Sequence, residues 1–172
     1  VKPLDLYPSE LDFEIFSKNN HAIGYQKQRS FINYLMGFFI DKSKFMGKDE
    51  GIWIPFKRLY VNHPSYGGLI GTPTAFMKYI QELLKSNSKL LNSKSIKLLF
   101  TENVTNNGKA SGMGLSWFSG KLNGFRYFAH PGGGGGYYCE LRIYPELKMG
   151  SVIMFNRTGW TCLLYTSPSP RD

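Results

Sequence analysis

The chain has 172 residues, a formal net charge of +9 and an apolar fraction of 42%, with 16% aromatic residues. This length fits one domain, and the apolar content excludes a disordered chain because it is enough to form a core. The lysines are spread along the whole sequence, which predicts a basic surface and no nucleic-acid partner, since such partners require basic and aromatic residues gathered on one face.

The longest apolar run, residues 31–40, is about half the roughly 20 residues that a membrane helix needs. We expect a short helix here, weakened by Gly37, that is buried or lines a groove. Attraction of the basic protein to an anionic polymer or membrane surface stays open. Membrane association and cellular location are therefore left unassigned.

The middle of the chain predicts one strand and two helices. Residues 51–61 alternate well enough for a strand, in which Pro55 marks an edge or a break. The clearest helix follows Thr72, which suits the N-cap, and Pro73, which suits the first helical position. Its apolar residues recur at three- and four-residue steps and form one face: Ala75, Phe76, Tyr79, Ile80, Leu83 and Leu84. A second, shorter helix is capped by Asn92 or Ser93.

The last third of the chain changes to a period of two. Four alternating segments separated by glycine turns predict an antiparallel meander: residues 113–120, 124–130, 137–145 and 150–157. In the third segment we expect two faces, one with Tyr138, Glu140, Arg142 and Tyr144 and the other with Tyr137, Cys139, Leu141 and Ile143. Helices followed by a meander predict the α+β class.

A run of five glycines, residues 132–136, follows His130 and a proline. The residues leave three interpretations open. The glycines allow a bend or bulge where a strand begins, or they present successive N–H groups to an anion. In the third interpretation they leave a bare strand edge along which a substrate lies, with one N–H stabilising an oxyanion. A P-loop is excluded, because no Lys-Ser/Thr follows and the next element is a strand.

Five segments occur in a characteristic order: GGLIGTP, LLNSKSIKLLF, GLSW, HPGGGGGY and PELKMGSVIMFN. This series, within residues 23–157, resembles the C-terminal half of the serine β-lactamase and penicillin-binding-protein superfamily, in its class C-like branch of esterases and D-amino-acid peptidases. The resemblance implies an incomplete β-lactamase/transpeptidase-like fold, made of the C-terminal antiparallel strands of the central sheet and the helices before them. Residues 1–161 would form this partial domain.

The family's third active-site box, Lys-Thr-Gly or His-x-Gly, is matched by residues 130–132. The resemblance implies that His130 faces the substrate and the proton-transfer network, and that the N–H of Gly133 is the second oxyanion donor. It also implies three substrate-binding residues: Gly132, Gly134 and Tyr138. Pro131 offers neither hydroxyl nor N–H where threonine would offer both. We therefore expect an ester, an amide or a D-amino-acid peptide as substrate rather than a β-lactam.

Two earlier boxes of the family are matched only by chance. Ser-x-x-Lys occurs at residues 86–89, but after a helix instead of at its start, and Tyr-x-Asn occurs at residues 60–62, beside GGL. We expect the real boxes to lie before Val1, so that the whole protein is a serine hydrolase working through an acyl-enzyme and this chain alone is inactive. The alternative is a non-catalytic relative that binds peptidoglycan-like or peptide ligands.

No cofactor or metal is expected, because Cys139 lies on a strand and no metal-ligand spacing occurs. His21 and His63 are interpreted as plain surface residues. The last eleven residues, 162–172, resemble the translation of a transposon-end adapter used in sequencing libraries and are expected to be non-native. Without Cys162, no intrachain disulfide can form.

Overall fold

The structure, a computed structural model, describes residues 2–60, 65 and 67–158. Four α-helices lie in these residues: α1 (Phe31–Phe39), α2 (Lys42–Phe45), α3 (Pro73–Leu83) and α4 (Ser93–Leu99). Eight strands lie there as well: β1 (Leu11–Asp12), β2 (Tyr25–Lys27), β3 (Trp53–Pro55), β4 (Ile70–Gly71), β5 (Phe118–Leu122), β6 (Phe125–Gly134), β7 (Tyr137–Tyr144) and β8 (Met149–Phe155). The α+β class is confirmed.

The last four strands form one sheet in the order β5-β6-β7-β8, which confirms the predicted meander. β5 and β6 are antiparallel, with Leu122 opposite Phe125 and Phe118 opposite Ala129. Their two-residue turn is Asn123–Gly124, with φ of 50° and 83°. Positive φ at both central positions defines the type I′ turn that Asn-Gly favours. Two further antiparallel pairs, β1 with β4 and β2 with β3, form two-stranded sheets of their own.

The chain divides into two compact units. The first takes in Val1–Asp12, Leu69–Pro131 and Glu140–Val152, and the second takes in Phe13–Gly68, Gly132–Cys139 and Ile153–Asp172. Several predictions fall outside the described residues: those for His63, for positions 61 and 62 of the Tyr-x-Asn match, and for residues 162–172 with Cys162.

The core of the first unit lies between α3 and the sheet. Thr72 caps α3 as predicted, because its hydroxyl accepts the N–H of Ala75 at 3.1 Å, and Pro73 is the first helical residue. The predicted apolar face of α3 is turned inward, where Ile80 and Leu83 are 0% and 2% exposed. Their buried partners are Trp117, which directly precedes β5, Phe128 on β6 and Ile143 on β7. Asn92, one of the two predicted caps, begins α4.

Helix α1 forms as predicted, but the expectation that it is buried or lines a groove is wrong for the described residues. Its outer face is apolar and exposed: Phe31 74%, Tyr34 65%, Leu35 38%, Phe38 68% and Phe39 83%. The inner face instead holds Asn33, which is 7% exposed and whose amide donates to the carbonyl of Gln28 at 2.6 Å. The apolar composition of the segment led to the wrong expectation, because composition does not show which face of a helix packs against the rest of the protein. No helix among the described residues is long and apolar enough to cross a membrane.

We expect the 172-residue chain, expressed alone, to self-associate through the outer face of α1, because monomeric proteins rarely expose contiguous apolar patches of this kind. Changing both Phe38 and Phe39 to serine should shift the chain toward monomer in size-exclusion chromatography with light scattering. Phe16→Ser is the control, since Phe16 is 74% exposed but lies outside α1. A chain that is monomeric and melts cooperatively without these changes would contradict the expectation.

Candidate active site

His130 lies on β6, on the face of the strand that packs into the core of the first unit. Phe128, two residues earlier on the same face, is 2% exposed, and Trp117 is 4% exposed. The indole of Trp117 meets the His130 imidazole edge-on, with the ring centroids 6.4 Å apart at an interplanar angle of 78°. The imidazole itself is exposed. A buried indole therefore packs against a histidine whose ring stays open to a ligand or to water.

The glycine run divides into an extended part and a turn. Residues 132–134 continue β6, whereas Gly135 and Gly136 have φ of 58° and 84° and form a two-residue turn into β7. The bend interpretation therefore holds for the last two glycines, which take a backbone conformation that is costly for other residues. The anion-cradle interpretation does not fit residues 132–134, because successive N–H groups of a strand point to opposite sides.

The main-chain groups of Gly133 point to the side of β6 on which β5 pairs. The turn at Asn123–Gly124 sets Leu122 opposite Phe125, so the N–H of Phe125 is directed at β5. The backbone N–H and C=O groups of every second residue in a strand point to the same side. Counting in twos from Phe125 reaches Gly133, so its N–H points to the β5 side as well. The register of β5 begins at Phe118, opposite Ala129. Residues 131 and 133 therefore face an edge that no strand in the described part of the chain occupies.

This edge explains the proline in the motif. A proline has no N–H to donate, so within sheets it is confined to positions whose N–H side is not paired. Pro131 belongs to the same alternating series as Gly133 and lies beyond the end of the β5 register. No hydrogen bond between strands is therefore lost at Pro131. Gly133 is the next residue whose main chain points to this side, and it does have an N–H.

The glycines of the extended part differ in the space around them. A Cβ on Gly132 would lie 3.0 Å from Sγ of Cys139, while a Cβ on Gly133 would have its nearest neighbours at 3.6 Å and 3.7 Å, on Tyr137 and Tyr138. Gly134 has open space around its Cα. Burial raises the pKa of the Cys139 thiol, and a hydrogen bond from the Gly132 backbone partly offsets that rise. A side chain at position 132 would therefore require Cys139 to shift by a few tenths of an ångström, whereas position 133 has room for a Cβ.

Tyr138 follows the turn on β7 and is 8% exposed. Its ring lies 6.3 Å from that of Phe155, at an angle of 31°. This burial supports a packing role, and the substrate-binding role implied for Tyr138 stays a prediction. The roles implied for His130, Gly132, Gly133 and Gly134 also stay predictions.

The Ser-x-x-Lys match does not form a nucleophile and base pair. Helix α3 ends at Leu83, before Ser86. The ammonium of Lys89 lies 2.8 Å from Asp5 Oδ2. The backbone N–H of Lys89 donates to the Glu82 carboxylate at 2.5 Å. These contacts agree with a chance match. Among residues 2–60, 65 and 67–158, no cluster of histidine, cysteine or carboxylate side chains could hold a metal ion.

Sequence reasoning missed the role of His21, which is not a plain surface residue. Its Nε2 lies 3.0 Å from Oη of Tyr137, the first residue of β7, and the same hydroxyl donates to the Ala22 carbonyl at 2.6 Å. Burial, and secondarily the charge of Arg58, lower the pKa of His21 from its ordinary value. The contact spans 116 positions of the sequence, so no local pattern could have indicated it.

The lowered pKa of His21 predicts a loss of stability in acid. The folded protein then binds fewer protons than the unfolded chain below about pH 6.5, so the contribution of His21 is present above that pH and is lost as pH falls. We expect His21→Gln to flatten this dependence between about pH 7.5 and pH 5.5, as measured by urea unfolding at each pH. An unchanged pH dependence in the variant would contradict the assignment to His21.

The chain is similar to one protein family in sequence and to a solved structure in fold. The sequence model of the family described as Beta-lactamase matches residues 26–163. The solved octameric penicillin-binding protein homologue from Pyrococcus abyssi superposes with a TM-score of 0.67 at 18% identity, a level at which the likeness concerns the fold. The match covers 98% of this chain and 36% of that one, so this chain spans about a third of that protein's length. No curated protein matches the chain.

Proposed function

The chain belongs to the β-lactamase family, and from this membership we propose that the whole protein is a serine hydrolase that works through an acyl-enzyme. Its substrates would be esters, amides or D-amino-acid peptides, with β-lactams less favoured. The observation that carries the proposal is the free edge of β6 at residues 131–133, next to the exposed imidazole of His130.

The proposed chemistry has two steps. A serine hydroxyl attacks the substrate carbonyl, and the leaving group departs with a proton to give the acyl-enzyme. Water then attacks the carbonyl of the acyl-serine ester, and the acyl group leaves as a carboxylic acid, which regenerates the serine hydroxyl. Both steps pass through a tetrahedral intermediate whose oxygen carries negative charge. In the proposal the N–H of Gly133 donates to this oxygen, and removing such a donor typically costs about 2.7–4 kcal/mol of transition-state stabilisation.

His130, three residues before Gly133 on the same strand, has a separate role in the proposal. Its imidazole is exposed and meets the Trp117 indole edge-on. It would donate a hydrogen bond to the substrate or to the proton-transfer network. Because β6 carries a proline in place of threonine, the edge lacks a hydroxyl for a substrate carboxylate, which supports neutral or peptide-like substrates.

The nucleophile in this proposal lies outside the described residues. Within them Ser-x-x-Lys occurs at residues 86–89, and there the lysine ammonium is bound to Asp5. The serine and its lysine base would therefore come from the part of the whole protein that this chain lacks. That expectation makes the residues described here one part of an active site.

The test is a substrate panel on the whole protein: a p-nitrophenyl ester, a peptide ending in D-alanyl-D-alanine and a chromogenic cephalosporin. We expect turnover of the ester or the peptide, lost when the serine of the upstream Ser-x-x-Lys box is changed to alanine. A whole protein that contains no such box, or that hydrolyses none of the three, would contradict the proposal. Binding of the peptide without turnover would identify the non-catalytic alternative.

A further inference from the structure

We infer that His21 and Tyr137 are positioning residues for the hydrolytic reaction, because their side chains fasten the turn that ends the glycine strand. The inference rests on the proposed function, in which Gly133 supplies an oxyanion donor. Both residues belong to the second unit, as do residues 132–139. Neither residue touches the reacting atoms in this account.

The hydrogen-bond directions at this contact are fixed by chemistry. The Ala22 carbonyl can only accept, so the single hydroxyl proton of Tyr137 is directed to it at 2.6 Å. The Tyr137 oxygen must then accept from His21, 3.0 Å away, which places a proton on Nε2 of the imidazole. The structure thus assigns the Nε2–H tautomer to neutral His21. Because the histidine donates, the bond persists in both its protonation states.

The backbone of the same segment holds the turn from a second direction. The N–H of Tyr25 donates to the carbonyl of Gly136 at 3.1 Å. A Cβ on Gly24 would lie 2.6 Å from the carbonyl oxygen of Gly135, and a Cβ on Gly136 would collide with the backbone of Gly24 and Tyr25. The backbones of segment 21–25 and the turn therefore approach each other closely, with the rings of Tyr137 and Phe56 alongside. Hydrogen bonds from Tyr137 and Tyr25 close the contact at its two ends.

The glycine run needs such an external contact. Five successive residues without side chains give the strand end no packing anchor of its own, and glycine has the greatest conformational freedom to lose. Tyr137 is the first residue after the run that carries a side chain. Fastening its hydroxyl to residues 21 and 22 restricts the turn, and through residues 134–136 it restricts the direction of the Gly133 N–H.

The kinetic test is Tyr137→Phe in the whole protein, which removes one hydroxyl and keeps the ring. We expect kcat to fall by about 10- to 100-fold with KM changed less than about twofold, because a misplaced oxyanion donor weakens the transition state more than substrate binding. Tyr34→Phe is the matched control, since Tyr34 is 65% exposed on α1. It should leave both constants unchanged. Unchanged kcat in Tyr137→Phe would overturn the inference.

A second readout separates this inference from the proposed function. With selective ¹⁵N labelling of histidine and glycine in the whole protein, we expect an Nε2–H resonance from His21 and slowed amide exchange in the glycine run, both lost in Tyr137→Phe and kept in Tyr34→Phe. If those signals are present but the protein turns over no substrate, the proposed function fails and the contact stands. If the signals are the same in parent and Tyr137→Phe, the inference is overturned whatever the turnover.

Discussion

Replacing Gly133 by proline should lower kcat of the proposed serine hydrolase by about 100- to 1,000-fold, the usual cost of one lost oxyanion donor. The substitution deletes the N–H that the strand alternation directs to the free edge of β6. Residue 132 is extended, as a residue before proline prefers. Gly133 itself does not have a positive φ, and the same strand already contains Pro131.

Gly133→Ala is the matched control for this prediction. A Cβ at this position would have no neighbour closer than 3.6 Å, and alanine keeps the N–H. We expect kcat of the alanine variant to stay within a few-fold of the parent. Steady-state kinetics on the best ester or peptide substrate would measure both variants. Equal activity in the two variants would mean that the Gly133 N–H does not stabilise the oxyanion.

Arg142→Ala should lower the free energy of unfolding by about 3–5 kcal/mol, since removing one partner of a buried ion pair leaves the other charge without it. Arg142 and Glu140 lie two residues apart on β7 and are 6% and 3% exposed. Their nearest nitrogen and oxygen are 2.5 Å apart, and the guanidinium also lies 4.6 Å from the centre of the Tyr127 ring. Urea unfolding followed by tryptophan fluorescence would measure the loss.

Lys78→Ala provides the comparison for the buried pair. Lys78 pairs with Glu10 at 3.2 Å, but the two side chains are 42% and 29% exposed, and exposed pairs contribute about 0–1 kcal/mol. The two variants should therefore differ severalfold in their effect on unfolding. If Arg142→Ala lowers the free energy of unfolding no more than Lys78→Ala does, the buried ion pair on β7 contributes little to the stability of the sheet.

Those elements of the fold that depend on local chemistry could be predicted from the sequence. Thr72 with Pro73 gave the start of α3, Asn92 gave that of α4, and the alternation after residue 112 gave the meander. Each of these signals lies within a few residues of the element it predicts. The first strand of the meander was predicted from residue 113 and begins at Phe118, because period-two alternation does not mark where pairing starts.

What could not be predicted depends on contacts far apart in the sequence. The sequence predicted that α1 is buried or lines a groove, whereas in the described residues its apolar side chains are exposed. The two faces of β7 were assigned correctly, but nothing in that alternation indicated that Glu140 and Arg142 would both be buried. The contact between His21 and Tyr137 and the extension of β6 to Gly134 also needed the folded backbone. The resemblance to a known family identified the residues of the candidate site. The unpaired edge of β6 at residues 131–133 became visible only from the register of β5.

The most direct test of the central claim is the intact mass of the whole protein after reaction with a fluorophosphonate probe. The serine oxygen of a serine hydrolase displaces fluoride from such a probe and keeps the phosphonyl group. We expect one adduct, on a serine that precedes a lysine by three residues and lies outside residues 2–158. Ser86→Ala should leave this adduct unchanged. An unlabelled protein, or an adduct on Ser86, would contradict the account.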